Sequence, residues 1–413
     1  MLIANSEESL KAHDVDEGWD WARIPGATTM SLTVRETRMK TIRHFSPHSY
    51  AGGVSFQGTE NLSSGVFGMD FQQPNYVFLD KNHPYPNIKL HFKKSVFFYQ
   101  NLLVCLGSNI RMENGPGKNA QTTLFQDKLV RESSTFFIKV DGVEKDISVP
   151  FQAMTPSSES GATPYTILFD TKGNSYYIPI SSAASLKVHI QNQVSESQSG
   201  KPSSGDYATA WLEHSSVNGG YEYAIYVKTP VYPLTADTAW SLQEDKQQLY
   251  EVLQRDDKAH VVKFNAAADR WPTARSPLYG YVIFQSTTSL PQGPIKAVNR
   301  KSRIMVDDSP EDLFLSISYP DLDFNASRVL HTITDVKAWE MFHMESNENE
   351  VQVTLTVDID MTFPAPPKVH GLPPEYVPDV RVESSPTSAP NKGNKIVFAN
   401  LKNGFSVEIK LRK

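Results

Sequence analysis

Apolar and polar residues alternate strictly in Val351-Gln352-Val353-Thr354-Leu355-Thr356-Val357-Asp358 and again in Phe405-Ser406-Val407-Glu408-Ile409-Lys410-Leu411. A period of two places every second side chain on one face, so both runs predict strands with one side on a core and one in water. Shorter runs rich in aromatic and β-branched residues predict further strands over 76–79, 95–99, 135–140, 165–169, 176–180, 186–190, 207–212, 221–227, 279–285 and 313–318. Turn residues separate several of them, as in Asp141-Gly142, Lys172-Gly173-Asn174 and Asn218-Gly219-Gly220. Gly115-Pro116-Gly117-Lys118 lacks the spacing of a phosphate-binding loop and predicts a hairpin tip. Only 240–254 has apolar spacing compatible with a helix. A hairpin of 250–254 with 260–264, turning at Asp256-Asp257-Lys258, describes that region better. Many short strands without alternating helices predict an all-β chain of antiparallel sandwiches and argue against a doubly wound sheet.

Two stretches break the pattern. Residues 191–206 are so polar that a mobile loop between strands is expected. Residues 363–394 carry eight prolines, from Pro364 to Pro390, which excludes a central strand and predicts an extended surface excursion. A boundary is expected at 228–235, where Pro230 and Pro233 follow a strand, giving domains over 1–235 and 236–413. No internal repeat is visible.

Length and charge narrow the function classes. At 413 residues the chain can bury a large core and form two or three domains. A net charge of -6 gives no global basic field for nucleic acid, so a polyanion would have to be held locally. The single cysteine, Cys105, sits in the apolar run Leu102-Leu103-Val104-Cys105-Leu106 and is expected to be a buried hydrophobe. The first residues, Met1-Leu2-Ile3-Ala4-Asn5-Ser6-Glu7-Glu8, do not read as a signal peptide, and no apolar run approaches the ~18 residues that would span a bilayer. Neither a membrane nor a nucleic acid is expected as a partner.

One group of motifs is more specific. Trp19-Asp20-Trp21-Ala22-Arg23-Ile24-Pro25-Gly26-Ala27-Thr28-Thr29 is followed by Ser46-Pro47-His48-Ser49-Tyr50-Ala51-Gly52-Gly53 and Gly65-Val66-Phe67-Gly68-Met69-Asp70. Residues 94–107 and Thr122-Thr123-Leu124-Phe125-Gln126 come next, then Tyr207-Ala208-Thr209-Ala210, Tyr221-Glu222-Tyr223-Ala224-Ile225, Tyr250-Glu251-Val252-Leu253-Gln254 and Tyr319-Pro320-Asp321-Leu322. In this order the chain resembles the β-rich half of a family 8 polysaccharide lyase, of the chondroitin ABC lyase type. The resemblance implies a large antiparallel β supersandwich, similar to galactose mutarotase, followed by a smaller C-terminal β-sandwich. It also implies a glycosaminoglycan substrate, chondroitin or dermatan sulfate with hyaluronan as a further candidate, and a periplasmic or secreted location. Lyases of this family carry a helical toroid domain ahead of the sandwich, which supplies the histidine, tyrosine and arginine of the elimination. Only eighteen residues precede Trp19, so the expectation is that this chain begins partway through such an enzyme.

The chemistry defines what the site requires. The C5 proton of a uronic acid is weakly acidic, so its carboxylate must be neutralised while a base and an acid flank the sugar. The family's sandwich contributes a glutamate that orients the catalytic arginine and tyrosine, and the resemblance places His48 at that position. A histidine cannot hold an arginine as a carboxylate does, and Glu60 in Gly58-Thr59-Glu60-Asn61 is the nearest replacement. His48, Tyr50 and Glu60 are therefore the candidate catalytic residues, with ordinary turn roles as their alternative. Trp19, Trp21 and Arg23 are the candidate substrate contacts. Their ordinary roles are core packing for the tryptophans and an ion pair with Asp20 for Arg23. No cofactor is expected. His44 and His48 lack a third zinc ligand, and Asp321, Asp323 and Asn325 read as a solvated turn more readily than as a structural calcium site. Three readings stay open: a piece of a lyase that needs the helical domain, a non-catalytic carbohydrate-binding or scaffold protein, and an independent enzyme rebuilt around His48, Tyr50 and Glu60.

Overall fold

The computed structural model describes residues 17–33, 36, 50–57, 63–72, 88–99, 101–129, 138–140, 143–145, 151–154, 165–179, 185–196, 201–214, 218–227, 249–265, 277–287, 289–290, 292–319, 350–361, 367–369, 379–384, 386, 388–399, 401 and 406–413. Over these the chain is all-β. The strands are β1 (Thr28–Met30), β2 (Tyr50–Gln57), β3 (Ser63–Gln72), β4 (Lys89–Tyr99), β5 (Leu102–Glu113), β6 (Ala120–Lys128), β7 (Ile138–Val140), β8 (Val143–Lys145), β9 (Phe151–Met154), β10 (Tyr165–Phe169), β11 (Ser175–Pro179) and β12 (Ser185–Glu196). They continue with β13 (Pro202–His214), β14 (Gly219–Tyr226), β15 (Tyr250–Arg255), β16 (Ala259–Phe264), β17 (Leu278–Ile283), β18 (Ile295–Val298), β19 (Ser302–Asp308), β20 (Asp312–Ser318), β21 (Val351–Asp360), β22 (Lys368–Val369), β23 (Asp379–Glu383), β24 (Lys392–Ala399) and β25 (Ser406–Arg412). Four sheets result, with orders β1-β6-β13-β12-β9, β2-β3-β4-β5-β14-β11-β10-β7-β8, β15-β16-β17-β19-β20-β25-β22 and β18-β21-β24-β23. The chain clusters into two compact units, the first from 1–42, 72–92 and 107–240, the second from 43–71, 93–106 and 241–413.

In the second unit the middle strands of the seven-stranded sheet are buried on both faces. Its central strands read as near-continuous buried runs, LYGYVI in β17 and SRIMVDD in β19, rather than as an alternation. One face packs Val261, Tyr281, Ile304, Leu315 and Ile409 against Val353, Leu355, Ile396 and Phe398 of the four-stranded sheet. There the alternating run of β21 behaves as its pattern predicts until the register with β24 shifts between Thr354 and Ile359. The other face carries polar groups, Arg303 and His260 among them. Arg303 is fully buried, and its guanidinium donates to the carbonyls of Gly68 (2.9 Å) and Ser302 (3.1 Å). Gly68 must lack a side chain, because a Cβ there would stand 2.4 Å from Val282 Cγ1 and 2.5 Å from Arg303 Nε. Gly280 makes the same allowance for the Phe97 ring, 2.5 Å from where its Cβ would be.

The first unit layers the five-stranded sheet on strands of the nine-stranded one, with Phe125 of β6 against Tyr176 of β11 (ring centroids 5.2 Å apart). Gly107 of β5 leaves room for the Tyr221 ring of β14, whose carbon would be 2.2 Å from a Cβ.

The hairpin expected near residue 256 is present as β15 and β16, paired from Tyr250↔Phe264 to Arg255↔His260. Cys105 is fully buried. Strands β22 and β23 are sheet-edge strands, the place that the proline-rich stretch allows. The predicted strand at 76–79, the boundary at 228–235 and residues 321–325 lie outside the described residues.

Two expectations are corrected. Much of 191–206 is not a loop: β12 and β13 pair from Ser185↔Glu213 to Glu196↔Pro202. Backbone hydrogen bonds satisfy this polar stretch as a long hairpin, leaving Val194 75% exposed while Gln193 is buried. Gly115–Lys118 is a turn, with Lys118 N donating to Gly115 O (3.0 Å) and Gly117 at φ 71°, but not a hairpin tip. It carries the chain from β5 in one sheet to β6 in another, a destination that turn chemistry does not encode.

Substituting Gly68→Ala forces a methyl into the Arg303–Val282 contact and is expected to destabilise the protein by about 1–3 kcal/mol. A lowered urea midpoint would register this; an unchanged midpoint would show that the space can yield.

Candidate functional site

The motif from Trp19 to Thr29 is a run of turns docked on the five-stranded sheet of the first unit. Asp20 makes the first turn, its carboxylate accepting from Ala22 N (2.8 Å) and its carbonyl from Arg23 N (3.0 Å). The same carboxylate pairs with Arg23 Nη1 at 2.5 Å. Ile24-Pro25-Gly26-Ala27 makes the second, with Ala27 N donating to Ile24 O (3.0 Å) and Gly26 at φ 73°, which is the type II pattern of proline then glycine. Thr29 then closes back, its hydroxyl donating to Ala22 O (2.6 Å).

Side-chain amides of the sheet hold this segment. Gln126 Oε1 accepts from Asp20 N (2.8 Å), and its Nε2 donates to the carbonyls of Arg23 (2.8 Å) and Asp20 (3.2 Å). Gln193 Nε2 donates to Gln126 Oε1 (2.7 Å) and to Gly18 O (2.6 Å), while Gln193 Oε1 accepts from the Thr209 hydroxyl (3.2 Å). Gln121 Nε2 donates to Ala22 O (3.0 Å). Gln121 and Gln126 differ by five positions, so a regular strand would point them to opposite faces. A β-bulge solves this: β6 pairs Phe125 with Ala210 and then Thr123 with Trp211, skipping Leu124. After the bulge both glutamines serve one segment.

Aromatic and basic groups complete the face. Trp19 is only 2% exposed and meets Tyr207 edge-on (6.5 Å), while the Tyr207 hydroxyl donates to Glu17 O (3.0 Å) and Lys128 pairs with the Glu17 carboxylate. Trp21 is partly buried against that pair. Tyr207 thus covers Trp19, the core packing that the sequence offers as its ordinary role. Arg23 Cζ stands 4.1 Å from the centre of the Trp211 ring, and His189 meets the same indole edge-on at 4.6 Å. Burial, then the Arg23 and Lys187 charges, hold the His189 imidazole below its ordinary pKa. Thr28 and Thr122 hydroxyls are 2.9 Å apart, and Thr122 Oγ1 lies 2.8 Å from His214 Nε2. Burial pushes His214 down to about 4, so it is neutral across the physiological range.

The predicted residues divide as follows. Trp19, Trp21 and Arg23 are brought together, with Trp19 enclosed and Trp21 and Arg23 reaching partial exposure. Tyr50 opens β2, opposite Asp70 of β3. His48 and Glu60 lie outside the described residues. Gln126 and Gln193 are the residues that sequence reasoning missed; Gln126 closes a recognised motif, whereas Gln193 was hidden in the polar stretch taken for a loop. The second unit adds a buried Ser95 Oγ–His260 Nδ1 contact of 2.7 Å. Both groups are fully buried, and burial first, then Arg255, Lys93 and Arg303, hold His260 far below its ordinary pKa. Fully enclosed as it is, that pair is a core contact. Among the described residues no cluster of three His, Cys, Asp or Glu is placed to hold a metal.

Comparison with known proteins adds the following. The family model described as polysaccharide lyase family 8, super-sandwich domain, matches residues 14–237. The chain is 27% identical over 385 residues to a chondroitin sulfate ABC endolyase of Proteus vulgaris, covering 91% of this chain and 34% of that protein. It is 27% identical over 320 residues to a chondroitin sulfate ABC exolyase of Bacteroides thetaiotaomicron, covering 74% of this chain and 26% of that one. It thus spans about a third or less of these relatives. A solved xanthan lyase of Paenibacillus shares the fold, with a TM-score of 0.61 at 18% identity over 95% of this chain and 31% of that chain.

Gln126→Leu removes four hydrogen bonds around the docked segment and leaves backbone groups of Asp20 and Arg23 to find water. The expected cost is about 1–3 kcal/mol, with faster amide exchange confined to 18–29. Exchange there at the wild-type rate would mean that the segment is held by other contacts.

Proposed function

Because the chain belongs to polysaccharide lyase family 8, we propose that it forms the β-rich part of a glycosaminoglycan lyase of the chondroitin ABC type. The observation that carries this reading is the 27% identity to the Proteus endolyase over 91% of the chain. The family match over residues 14–237 includes the docked tryptophan segment, where Trp21 and Arg23 reach the surface.

In the proposed reaction a base removes the C5 proton of a uronic acid in a chondroitin or dermatan sulfate chain. The electron pair forms the C4–C5 double bond as the C4–O bond breaks, and an acid protonates the leaving oxygen. Base, acid and the arginine that neutralises the carboxylate come from a helical domain, with which this chain acts as partner. Arg23 is suited to an anionic group and Trp21 to the apolar face of a pyranose. His48 occupies the position of the family's orienting glutamate, Glu60 is the acid that takes over its task, and Tyr50 lies at the rim. The reading carries with it a periplasmic or secreted location. The histidine at position 48 favours one alternative, a carbohydrate-binding or scaffold protein derived from such a lyase, because it weakens the hold on a catalytic arginine.

The test is an eliminase assay on chondroitin sulfate and hyaluronan, following the near-ultraviolet absorbance of the unsaturated uronate, with the chain alone and with the helical domain of a related lyase. Activity only on mixing is the expected result. Activity of the chain alone would replace this reading with a site rebuilt around His48, and silence in both with measurable glycan binding would favour the binding protein. In the active mixture, His48→Glu is expected to raise the initial rate by roughly tenfold, equivalent to about 1.4 kcal/mol. A rate that falls instead would give His48 a direct role.

A further inference from the structure

The end of β6 and the turn between β10 and β11 bring two carboxylates into the interior of the first unit. Asp127 and Asp170 are each 1% exposed. Asp127 accepts from the Thr171 amide (3.1 Å) and hydroxyl (2.8 Å), and it pairs with the Lys172 ammonium. Asp170 accepts from the backbone amides of Lys172 and Asn174 (both 2.9 Å), from the Asn174 side chain (2.7 Å) and from the Tyr176 hydroxyl (3.3 Å). Gly173, at φ 83°, closes the turn by donating to Asp170 O (3.1 Å). Strand β6 belongs to the five-stranded sheet and β10 and β11 to the nine-stranded one, so this cluster fastens the two layers of the unit.

The charges do not balance. The charged groups acting on Asp170 are Asp127 and Lys172, two acids and one base with Asp170 itself included. With both carboxylates ionised, Asp170 has hydrogen-bond donors but no cation paired with it, and burial and repulsion from Asp127 outweigh those donors. The next residue back along β6, Gln126, holds the docked tryptophan segment. Asp127 and the residue that holds that segment are thus adjacent on one strand.

We propose that Asp170, beside the Lys172-paired Asp127, holds a proton in mildly acidic conditions, and that its loss as the pH rises loosens the fastening of the two layers, a proton-operated latch behind the tryptophan segment. Burial first, then the Asp127 charge, raises Asp170 to about 6 from an ordinary value of 3.8. Below the ordinary value the folded and unfolded chains both carry the proton and the latch is at full strength. Between the two values only the folded chain keeps it, so stability falls as the pH rises, levelling off above about 6. The latch does not depend on the lyase reading, and its test requires no activity.

Thermal melts of the full chain between about pH 4 and about pH 7, with and without Asp170→Asn, provide the test. The melting temperature of the wild type is expected to fall by on the order of 5 °C more than that of the variant across this range. Parallel curves would overturn the proposal. Infrared spectra of wild-type chain with isotope-labelled aspartate serve even if the variant does not fold. A protonated carboxyl band lost near pH 6 is expected, and its absence in acid would equally overturn the latch. Amide exchange over 18–29, corrected for intrinsic pH dependence, should quicken across the same interval in the wild type alone; exchange that does not respond would remove the link to the tryptophan segment.

Discussion

The first unit depends on one irregularity in an otherwise regular sheet, the bulge that skips Leu124 where β6 meets β13. Without it Gln121 and Gln126 would face opposite sides, and the segment from Gly18 to Ala27 would lose either its hold at Ala22 or its hold at Asp20 and Arg23. The amides suit this task because each supplies a donor and an acceptor that remain neutral at any pH. Their orientation is set in series, from the Thr209 hydroxyl through Gln193 to Gln126 and on to the backbone of Asp20. A chain of this kind stores no proton for catalysis. Its product is a fixed position for Trp21 and Arg23.

The second unit follows a different rule. Its seven-stranded sheet has no solvent face across the middle strands, so polar groups on the side away from the main apolar core must be satisfied internally. Arg303 finds backbone carbonyls, His260 finds Ser95, and glycines at 68 and 280 leave the space these large groups need. Buried histidines illustrate how burial decides between structure and chemistry. His214 and His260 both have hydroxyl partners at short distance, an arrangement that could pass for a general base, yet enclosure keeps both neutral and unreachable. His189, half-buried beside Arg23 and Trp211, retains some access to solvent.

Much of the architecture was legible in the chain because a period of two and a turn residue are local properties. The strands β21 and β25, the β15–β16 hairpin, the burial of Cys105 and the edge placement of proline-rich strands all follow from short-range pattern. The tryptophan motif was legible too, down to the Asp20–Arg23 pair, since its residues contact one another within a few positions. What lay beyond local pattern was the use of polar residues by distant partners. The stretch 191–206 has the composition of a solvated loop, and only the pairing of 191–196 with 202–207 and the burial of Gln193, which donates to Gly18 O, make it part of a sheet.

The sequence by itself determined the all-β class, the positions of most strands and the motif that marks a family 8 lyase, because strand alternation, turn stereochemistry and motif spacing are written in neighbouring residues. Only the tertiary structure decided which sheet each strand joins, as where Gly115–Lys118 leads from β5 to another layer. It also decided that Trp19 packs against Tyr207, and that the buried Asp127, not Asp170, takes the Lys172 ammonium. These outcomes rest on contacts between residues tens to hundreds of positions apart. Burial and charge at such contacts depend on the whole fold, not on any one segment of it.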